Sequence, residues 1–464
     1  MTIEEILAII ESDPVTAMAA LREKSVPVPA WGGKKGLVQE YDPKKHPVNN
    51  KAKYPDIVLK DGTIEEVTRV SLNFQQLAVK RMSELCCGIP PKRIYSPQDD
   101  PQREVAQWME RIYEKNRIDS VNIERTNMLF AGCEVMTLWY AVEQKTTAYG
   151  FDSPLKFRCR NFSPTLGDEL YPLFDEYGDM VAMSVAYRRK KAGNTVSFFD
   201  TYTADRHIKW STESGDWRVE EDEKTTITKI PAIYMYRTEP IWGSTSNLVY
   251  EMEWSLSRNG NYLRKNSKPL FVVCADNEIE FGQEKSEKKE FRSVLQYPKG
   301  STVQYVTWPQ AVDSTKYYVS ELRNLYFTLL QLPDWSYEKM SQQALSGESR
   351  KQLFIDAKLK VTDESGRLLE FFDRETNVLR AMLKTATPDK YHKAIDDLPV
   401  EHEITPYEIG DEKETISNLM TANGNKPMIT QRESVEMLGW SQDVDKTMEE
   451  LEKQEQQSVF NAYE

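Results

Sequence analysis

The chain has 464 residues, enough for about three domain-sized units, and 39% of the residues are hydrophobic. Its 23 tyrosines and 10 tryptophans exclude a largely disordered chain. The formal net charge of −13 argues against a free DNA-binding domain, because such domains are normally basic. The chain therefore either does not bind nucleic acid or handles it without gripping it, and composition leaves both alternatives open.

The cysteines and the apolar runs indicate the compartment. The low density and odd number of the cysteines predict free buried thiols in a reducing environment. The five positions are Cys86, Cys87, Cys133, Cys159 and Cys274. The N-terminus lacks the pattern of a signal peptide, and no apolar run approaches the roughly 20 residues of a membrane span. We expect a protein that is made in a cytoplasm and that can end in a particle assembled there.

The N-terminal region predicts two short helices followed by an arm. Thr2 and Glu5 form a capping-box pattern before an apolar run, and a second helix is expected over residues 15–24. Residues 25–63 are rich in Pro, Gly, Lys and Asn, which predicts an extended arm or a long loop. Because a bare loop of that length is unusual inside a compact domain, an arm lying on a neighbouring subunit is the natural explanation.

Three helices and then a β region are predicted next. Apolar residues keep a helical period from residue 63 to Gly88, and the Pro90-Pro91 pair prevents the helix from resuming. Two more helices are expected over residues 101–115 and 119–132. The pattern then favours an antiparallel β region on this helical base. Its strand candidates are residues 134–142, 155–162, 169–174, 180–189, 195–203, 206–210 and 225–236.

The next part of the chain predicts two helices that flank a pair of strands. The first helix covers residues 244–264 with an interruption at Gly260, and the second covers residues 315–331. Pro333 prevents the second helix from continuing. Two strands and a charged, helix-compatible stretch lie between the helices, at residues 269–273, 302–306 and 284–292.

The C-terminal part is mostly helical. A loop containing Ser346-Gly347 leads into a long helix over residues 348–386, in which Gly366 is a weak point of roughly 1 kcal/mol against alanine. A strand is expected next. The remaining candidates are the strand at 402–409, a helix at 411–421, a helix capped by Thr430 and Glu433 and ended by Gly439, and a helix at 443–457.

Patterns that carry catalytic chemistry are missing from the sequence. It contains no GxxxxGK[ST] loop, no HExxH and no GxSxG elbow. Its four histidines are scattered, at His46, His207, His392 and His402. The acidic clusters at 175–179 and 220–223 are interpreted as solvated turns rather than cation sites. The sequence predicts a chain that is not an enzyme, with no metal and no cofactor, and an unfamiliar active site in the β region is the alternative.

The order of the elements resembles that of the portal proteins of tailed double-stranded DNA bacteriophages, in the siphophage-type branch. The stretches that carry the resemblance are residues 70–94, 131–134, 173–188, 332–354 and the tail from Thr405. The most specific is 332–354, a loop with Pro near its start and Ser-Gly before the long helix. The resemblance covers most of residues 64–457 and implies a mainly helical α+β portal fold with wing, stem, clip and crown.

The resemblance also implies a division of the chain into the parts of a portal subunit. Residues 1–243 would form the wing, and the stem helices at 244–266 and 313–331 would flank a clip at 267–312. The tunnel loop would cover residues 332–347. The spine helix of the wing with its return strand would cover 348–409, and the crown 410–464.

Portal subunits form a ring, usually dodecameric, at one capsid vertex of the virion, and the resemblance implies the same assembly in the host cytoplasm. The implied partners are the major capsid and scaffolding proteins, the terminase large subunit, head-completion or adaptor proteins, and double-stranded DNA that passes through the channel; no membrane is implied. Another virion structural protein, such as a head–tail adaptor or minor capsid protein, is the alternative. Adaptors are usually shorter and lack a clip between two helices.

Three groups of candidate site residues follow from the resemblance. The tunnel-loop side chains expected nearest DNA are Lys339, Ser341, Gln342 and Gln343. A basic cluster in the stem, either a ring of positive charge or ordinary solvated helix charge, comprises Arg258, Arg264, Lys265 and Lys268. In the clip, charges of mixed sign suggest a protein-docking surface or a solvated helix face rather than a DNA contact, at Glu284, Lys285, Lys288, Lys289 and Arg292. An acidic chain suits a channel through which DNA must slide, since each phosphate contact adds affinity.

Overall fold

The structure is a computed structural model that describes most of the chain. The described residues are 8–9, 14–191, 193–266, 270–274, 302–306, 312–334, 354–407, 430–438 and 444–461. The chain divides into two units, of which the first combines Met1–Asp334 with Asp356–Tyr407 and the second combines Trp335–Ile355 with Glu408–Glu464. The predicted stretches at 284–292 and 411–421, and most of the first predicted helix, lie outside the described residues.

The segment predicted as an extended arm is instead built from short elements. They are helix α1 (Pro14–Leu21), helix α2 (Leu37–Tyr41), two single-turn 3-10 helices (Pro43–Lys45 and Pro47–Asn49) and strands β1 (Ile57–Val58) and β2 (Ile64–Glu65). Proline opens each 3-10 helix, where its fixed φ is already suitable and no N–H is needed. Strands β1 and β2 form an antiparallel hairpin. The prediction of a bare arm or loop over residues 25–63 was wrong.

Three helices form the base of the first unit: α3 (Phe74–Cys87), α4 (Asp100–Asn116) and α5 (Ile118–Gly132). Asp99 caps α4 by accepting the Gln102 N–H at 2.8 Å. Arg117 and Cys133 end α4 and α5 in the left-handed conformation. These helices confirm the predictions for 101–115 and 119–132. The predicted start of the first helix at residue 63 was wrong by about a dozen residues.

Eight strands form two antiparallel sheets on this base, in the predicted β region. The strands are β4 (Glu134–Val142), β5 (Lys156–Phe162), β6 (Glu169–Phe174), β7 (Met180–Lys191), β8 (Asn194–Tyr202), β9 (Arg206–Ser211), β10 (Arg218–Lys224) and β11 (Ala232–Tyr236), with β3 (Lys92–Tyr95) in a separate pair. The larger sheet has the order β10-β9-β8-β7-β6, and the smaller has the order β11-β4-β5. Their facing sides share a core around Met136, Phe162, Met183, Val185 and Tyr234.

The two acidic clusters have different structures. Residues 175–179 form the predicted turn, in which Asp175 Oδ1 accepts the N–H groups of Tyr177 and Asp179 at 3.0 and 2.8 Å. Residues 220–223 are instead part of strand β10, so the prediction of a turn was wrong. Cations on β9 neutralise this acidic strand, since Lys209 Nζ lies 2.7 Å from Glu221 and Arg206 lies 2.6 Å from Asp222.

The predicted strand over residues 225–236 is confirmed only for its second half, because β11 begins at Ala232. In the first half, the residues after β10 form a connection that ends at Pro231. The return strand β14 (Val400–Glu403) is shorter than the predicted 402–409 and pairs with β3, which the sequence did not reveal.

The remaining elements of the first unit are mostly helical. They are α6 (Ser246–Asn266), β12 (Leu270–Cys274), β13 (Thr302–Val306), α7 (Val312–Leu330), α8 (Ile355–Ala386) and α9 (His392–Asp397). Gly260 does not interrupt α6, contrary to the prediction. Helix α8 is fixed to the base by a buried ion pair, in which Arg125 donates to both oxygens of Glu375 at 2.7 and 2.8 Å.

The second unit contains helices α10 (Gln431–Leu438) and α11 (Val444–Asn461). The predicted cap of α10 is confirmed. Thr430 Oγ1 accepts the Glu433 N–H at 3.2 Å, and the Glu433 carboxylate accepts the Thr430 N–H at 2.8 Å. This reciprocal pair is a capping box, which satisfies two N–H groups at the start of the helix.

Candidate stem and clip region

One end of the α6–α7 pair is buried in the first unit, and the other end is exposed. Leu322, Tyr326 and Leu330 on α7 are buried, and Tyr326 Oη donates to the Phe74 carbonyl at 2.7 Å. Nearer the start of α7, Tyr318 is exposed and donates to Glu251 of α6 at 3.2 Å. The pair is therefore anchored to the base at the end of α7 and projects away from it toward β12 and β13.

Strands β12 and β13 join the two helices as an antiparallel hairpin. Their register pairs Leu270 with Val306 and Cys274 with Thr302. Because β12 and β13 are antiparallel, the chain reverses direction between the two helices. Helices α6 and α7 therefore form a helical hairpin that ends in two strands. The two helices and two strands predicted from the sequence are confirmed, while their assignment to a stem and clip stays a prediction. The intervening residues 284–292 lie outside the described residues.

A segment just before α3 lies along α6 through a ladder of hydrogen bonds. Backbone N–H groups of alternate residues donate to α6 side chains. The bonds run from Thr68 to Asn261 Oδ1 at 2.5 Å, from Val70 to Ser257 Oγ at 2.9 Å and from Leu72 to Glu253 Oε1 at 2.7 Å. Arg264 continues the series by donating to the Glu66 carbonyl.

The spacing of the ladder follows from backbone geometry. Two residues of extended chain advance about 6.6 Å, and four residues of α-helix advance about 6.0 Å. Alternate donors on the segment therefore stay in step with acceptors at every fourth position of α6. Gly260 permits the close approach, because a Cβ built there would lie 2.9 Å from Thr68 Cγ2. This backbone pairing explains why residues 66–73 do not extend α3 despite their helical period.

The residues of this ladder were missed in the sequence. The signal was available, since Glu253, Ser257 and Asn261 repeat every four residues on a helix that also buries Val249 and Met252. Polar residues in such a row indicate a polar partner along the helix. The sequence does not say which segment supplies the donors, because Val70 and Leu72 contribute only their backbone.

His46 lies in the segment of residues 25–63, called the arm below, and contacts the same Glu253 carboxylate as the ladder. Its Nδ1 lies 2.6 Å from Glu253 Oε1, and its Nε2 lies 2.8 Å from the Glu40 carbonyl oxygen. Burial opposes the charge of this imidazole, but the hydrogen bond to Glu253 and the nearby negative charges outweigh it and raise the pKa of His46. The arm and α6 are thus joined by a buried polar contact as well as by the ladder.

The end of α7 is held firmly where the predicted tunnel loop begins. Gln331 takes the left-handed conformation, and the Leu332 N–H donates to the Phe327 carbonyl at 3.1 Å. Asp334 turns back to Arg323 of α7 at 2.9 Å. Lys360 of α8 donates to the Leu330 carbonyl, and its burial lowers the pKa of this amine to about 8. The chain therefore leaves α7 from a fixed point.

Two of the predicted site residues in the stem are described with their side chains. Arg258 lies over the Trp254 ring at 5.3 Å, and Arg264 makes the ladder contact to Glu66. Both side chains are exposed. The contacts give each arginine a role within the chain, and the predicted ring of positive charge stays a prediction.

The other predicted site residues lie outside the part of the chain whose side chains are described. Lys265 belongs to α6, but its side chain is not among those described. The remainder are Lys268 in the stem, Lys339, Ser341, Gln342 and Gln343 in the tunnel loop, and Glu284, Lys285, Lys288, Lys289 and Arg292 in the clip. Their predicted roles stay predictions.

The chemistry of the described side chains is that of packing and pairing. Within the described ranges, no group of three or more His, Cys, Asp or Glu is placed to hold a metal ion. Within the same ranges, no helix is long and apolar enough to cross a membrane. The described cysteines are free, with Cys86, Cys87 and Cys133 buried. Cys274 is exposed on β12, so the prediction that every thiol is buried was wrong.

The described elements combine an α+β architecture with a helical hairpin that ends in two strands. A comparison with protein families shows the class of protein, since the family described as "Phage portal protein, SPP1 Gp6-like" matches residues 38–459. The chain belongs to this family and is a phage portal protein. No curated protein matches the sequence significantly.

Several solved structures are similar over most of the chain. Chains from "Neck of empty GTA particle computed with C6 symmetry" and "Neck of native GTA particle computed with C12 symmetry" are 9% and 10% identical, with TM-scores of 0.41 and 0.40. The first match covers 92% of this chain and 99% of that chain, and the second covers 92% and 98%. A chain from "Virion of native gene transfer agent (GTA) particle" is 11% identical over 92% and 98%, with a TM-score of 0.37.

Proposed function

We propose that this portal protein forms a closed ring, with twelve copies as the expected number, at one vertex of a phage capsid. Double-stranded DNA would pass through its channel during packaging and ejection. The observation that carries the proposal is the family match over residues 38–459 together with the α6–α7 hairpin that ends in β12 and β13. A ring made by rotation repeats one heterologous interface until it closes, so a single chain suffices to build it.

The parts of the subunit keep their predicted roles in this proposal. Residues 1–243 and 348–409 form the wing, α6 and α7 form the stem, 267–312 the clip, and 410–464 the crown. The clip docks the terminase large subunit during packaging and head-completion or adaptor proteins afterward. The wing faces the major capsid and scaffolding proteins, and the assembled ring resides in the virion after assembly in the host cytoplasm.

The fixed end of α7 supports the proposed tunnel loop. Because Arg323 and Lys360 hold the chain around residues 330–334, the next residues depart from one defined place in each subunit. In a ring, such places repeat around the axis. From the family resemblance, we place Lys339, Ser341, Gln342 and Gln343 nearest DNA. Alanine at Lys339, Gln342 and Gln343 should leave capsid assembly intact while DNA packaging or retention changes. Unchanged packaging would remove these residues from the proposal.

The net charge supports passage rather than binding. A chain with a net charge of −13 repels phosphate on average, and each additional phosphate contact would act as a brake. Arg258 and Arg264 are exceptions in the stem, and a ring of either one would give a narrow band of positive charge. DNA would therefore meet a few weak, localised positive charges in a ring whose subunits are acidic overall.

The experiment that tests the proposal is negative-stain microscopy with mass measurement of the purified full chain. A ring with a central channel and a mass of about twelve subunits is the expected result. A monomer that persists at high concentration and across salt conditions would overturn the proposal of a ring. Rings with another subunit number would correct the stoichiometry alone.

A further inference from the structure

A cavity opens between the two sheets of the first unit. Its volume is about 510 Å³, which is the size of a small-molecule site. Strands β4 and β5 form one wall, strands β7, β8 and β9 form the other, and the connection after β10 supplies the rest. Leu138, Phe162 and Pro231 give the walls an apolar lining. The cavity therefore suits an organic ligand rather than a bare ion.

Two buried polar atoms of residues lining this cavity lack a hydrogen-bond partner among the described residues. They are Asp200 Oδ1 and His207 Nε2. Asp200 is only 5% exposed, and its other oxygen accepts the Tyr187 hydroxyl at 3.0 Å. Burial lowers the pKa of His207, so its imidazole is neutral at pH 7. Because a buried carboxylate oxygen without a hydrogen bond is unfavourable, Asp200 Oδ1 fits a donor that a ligand supplies.

The exposed charged side chains that line the cavity mark its mouth, and most of them are cations. They are Arg160, Arg189, Lys224 and Glu223. Arg160 lies over the Phe162 ring at 4.5 Å, and Arg189 lies over the Tyr187 ring at 4.9 Å. Neither arginine forms a hydrogen bond or an ion pair with a described residue. Their guanidinium groups are therefore held at the mouth by aromatic rings, with their N–H donors left for an anion.

Nearby groups of the protein do not already fill these two places. Lys209 stands opposite Asp200 in the register of β8 and β9, but its Nζ binds Glu221 at 2.7 Å. Burial raises the pKa of Asp168 although Arg160 and Arg189 oppose the rise, and its carboxylate accepts the Ser163 N–H at 3.2 Å. At the mouth, three cations face the single carboxylate of Glu223. The cavity thus offers an acceptor at its floor and positive charge at its opening.

We infer that this cavity binds a nucleoside phosphate, with the base between the sheets and the phosphate against Arg160 and Arg189. A base brings neutral N–H donors for Asp200 Oδ1 and a planar ring for the aromatic and apolar walls. Guanidinium groups recognise phosphate through charge-assisted hydrogen bonds. The two arginines disfavour a cationic ligand, and a hydrocarbon would leave Asp200 without a donor. This site belongs to the single chain and goes beyond the proposed ring.

Titration calorimetry of the purified full chain with AMP, GMP, CMP and UMP tests this site. At least one of these nucleotides should bind saturably, at one site per chain. The same nucleoside without its phosphate, and ribose 5-phosphate without a base, should each bind about tenfold more weakly or worse, because each loses one of the two contacts. A cavity that holds only water would bind none of the nucleotides, and that result overturns the inference. Equal binding of ribose 5-phosphate would also overturn it, since the base would then make no contact.

Asp200→Asn tests the contact at the floor of the cavity. The amide oxygen accepts from Tyr187 as the carboxylate does, so the amide NH2 faces the cavity, where it opposes an N–H donor of the base. The affinity for the nucleotide should fall about tenfold, while urea unfolding shows that the variant is folded. Unchanged affinity in the folded variant would mean that the base does not contact Asp200, and the proposed site would be wrong.

Arg160→Ala with Arg189→Ala tests the contact at the mouth. This double variant should bind the nucleotide only as well as it binds the nucleoside, with the nucleoside affinity unchanged, whereas a distorted cavity would weaken both alike. The matched control is Arg188→Ala, an exposed neighbour whose side chain points to the opposite face of β7. The control should keep the affinity of the unmodified protein. If the double variant keeps it as well, the arginines do not hold the phosphate and the inference is overturned.

Discussion

His46 and Glu253, 207 residues apart in the sequence, form a fully buried pair with 2.6 Å between Nδ1 and Oε1. The other ring nitrogen of His46 faces the Glu40 carbonyl oxygen, which can only accept a hydrogen bond. Both nitrogens therefore carry a proton when the carboxylate is ionised, and the pair is an imidazolium against a carboxylate. It ties the arm to α6 at the end of the ladder.

The stability that this pair supplies should depend on pH. The pKa of His46 is raised in the folded protein, so its contribution is complete below the ordinary histidine pKa of about 6.5 and is lost as the pH rises through the raised value. The melting temperature of the unmodified protein should fall between pH 6 and 9 more steeply than that of His46→Gln. Tyr250, Glu40 and Asp42 also face this ring. Burial raises the pKa of Tyr250, so its hydroxyl stays neutral over that range.

A matched control uses His392→Gln, which changes a half-exposed histidine on α9. This variant should keep the pH profile of the unmodified protein. If His46→Gln also keeps that profile, the buried imidazolium is not present. At pH 6, His46→Ala should cost about 3–5 kcal/mol, because Glu253 is left buried without its partner.

Arg125 and Glu375 offer a second test of buried charge. Glu375 accepts both guanidinium bonds and the Trp139 Nε1–H at 2.9 Å, and Arg125 lies over the Phe371 ring at 4.5 Å. Arg125→Met should cost about 3–5 kcal/mol in urea unfolding, because the carboxylate loses its counter-charge. Adding Glu375→Leu should recover part of that loss. A double variant as unstable as the sum of the single ones would show that the two charges do not interact.

The order of elements was predictable from the sequence because it depends on local signals. Gly88 and the Pro90-Pro91 pair ended α3 where the structure ends it. An aromatic and β-branched run predicted β4, and turn signals bounded β6, each at its observed limits. The family resemblance was confirmed in the same way, since it rests on the order and spacing of these elements. Local signals therefore indicated the order of the elements, and the resemblance of that order to portal proteins implied the fold and the family.

The missed features are contacts between distant parts of the chain. Residues 66–73 have a helical period, yet their N–H groups bond to α6 side chains instead of to their own helix. Strand β10 carries four consecutive acidic residues, and Lys209 and Arg206 on the neighbouring β9 neutralise part of this charge. Strand β3 exists because β14 pairs with it about 300 residues later. No local pattern encodes those partners.

Gly260 and Gly366 should respond oppositely to alanine, although both lie inside long helices. At Gly260 on α6, a Cβ would lie 2.9 Å from Thr68, whose backbone is held by Asn261. At the exposed Gly366 on α8, nothing lies within 4 Å of an added Cβ. Gly366→Ala should therefore stabilise the protein by about 0.5–1 kcal/mol, and Gly260→Ala should destabilise it despite the same gain in helix propensity.

Thr68→Ala provides the control for the glycine pair. It removes the methyl group that meets the new Cβ and keeps the N–H that donates to Asn261. Urea unfolding of Gly260→Ala with Thr68→Ala should recover the stability that the single glycine variant lost. If Gly260→Ala alone is as stabilising as Gly366→Ala, the segment does not approach α6 as closely as the structure shows.

Asp200 should make the β region less stable as the pH rises. It is buried between the sheets, where Tyr187 donates to Oδ2 at 3.0 Å and Oδ1 has no hydrogen-bond partner among the described residues. Burial raises the pKa of Asp200 to about 6, although the hydrogen bond from Tyr187 opposes the rise. A carboxyl with a raised pKa withdraws stability as it ionises, here between about pH 4 and pH 6, and the shift corresponds to about 3 kcal/mol.

Asp200→Asn should remove this cost, because the amide has a similar shape, accepts from Tyr187 and carries no charge at any pH. Urea unfolding should show the variant more stable than the unmodified protein at pH 7, by up to about 3 kcal/mol, and no more stable at pH 4. The exposed Asp205 lies on the next turn, and Asp205→Asn should reproduce the unmodified profile at both values. Equal stability of Asp200→Asn and the unmodified protein at pH 7 would mean that the ionised carboxylate is already solvated in the cavity between the two sheets.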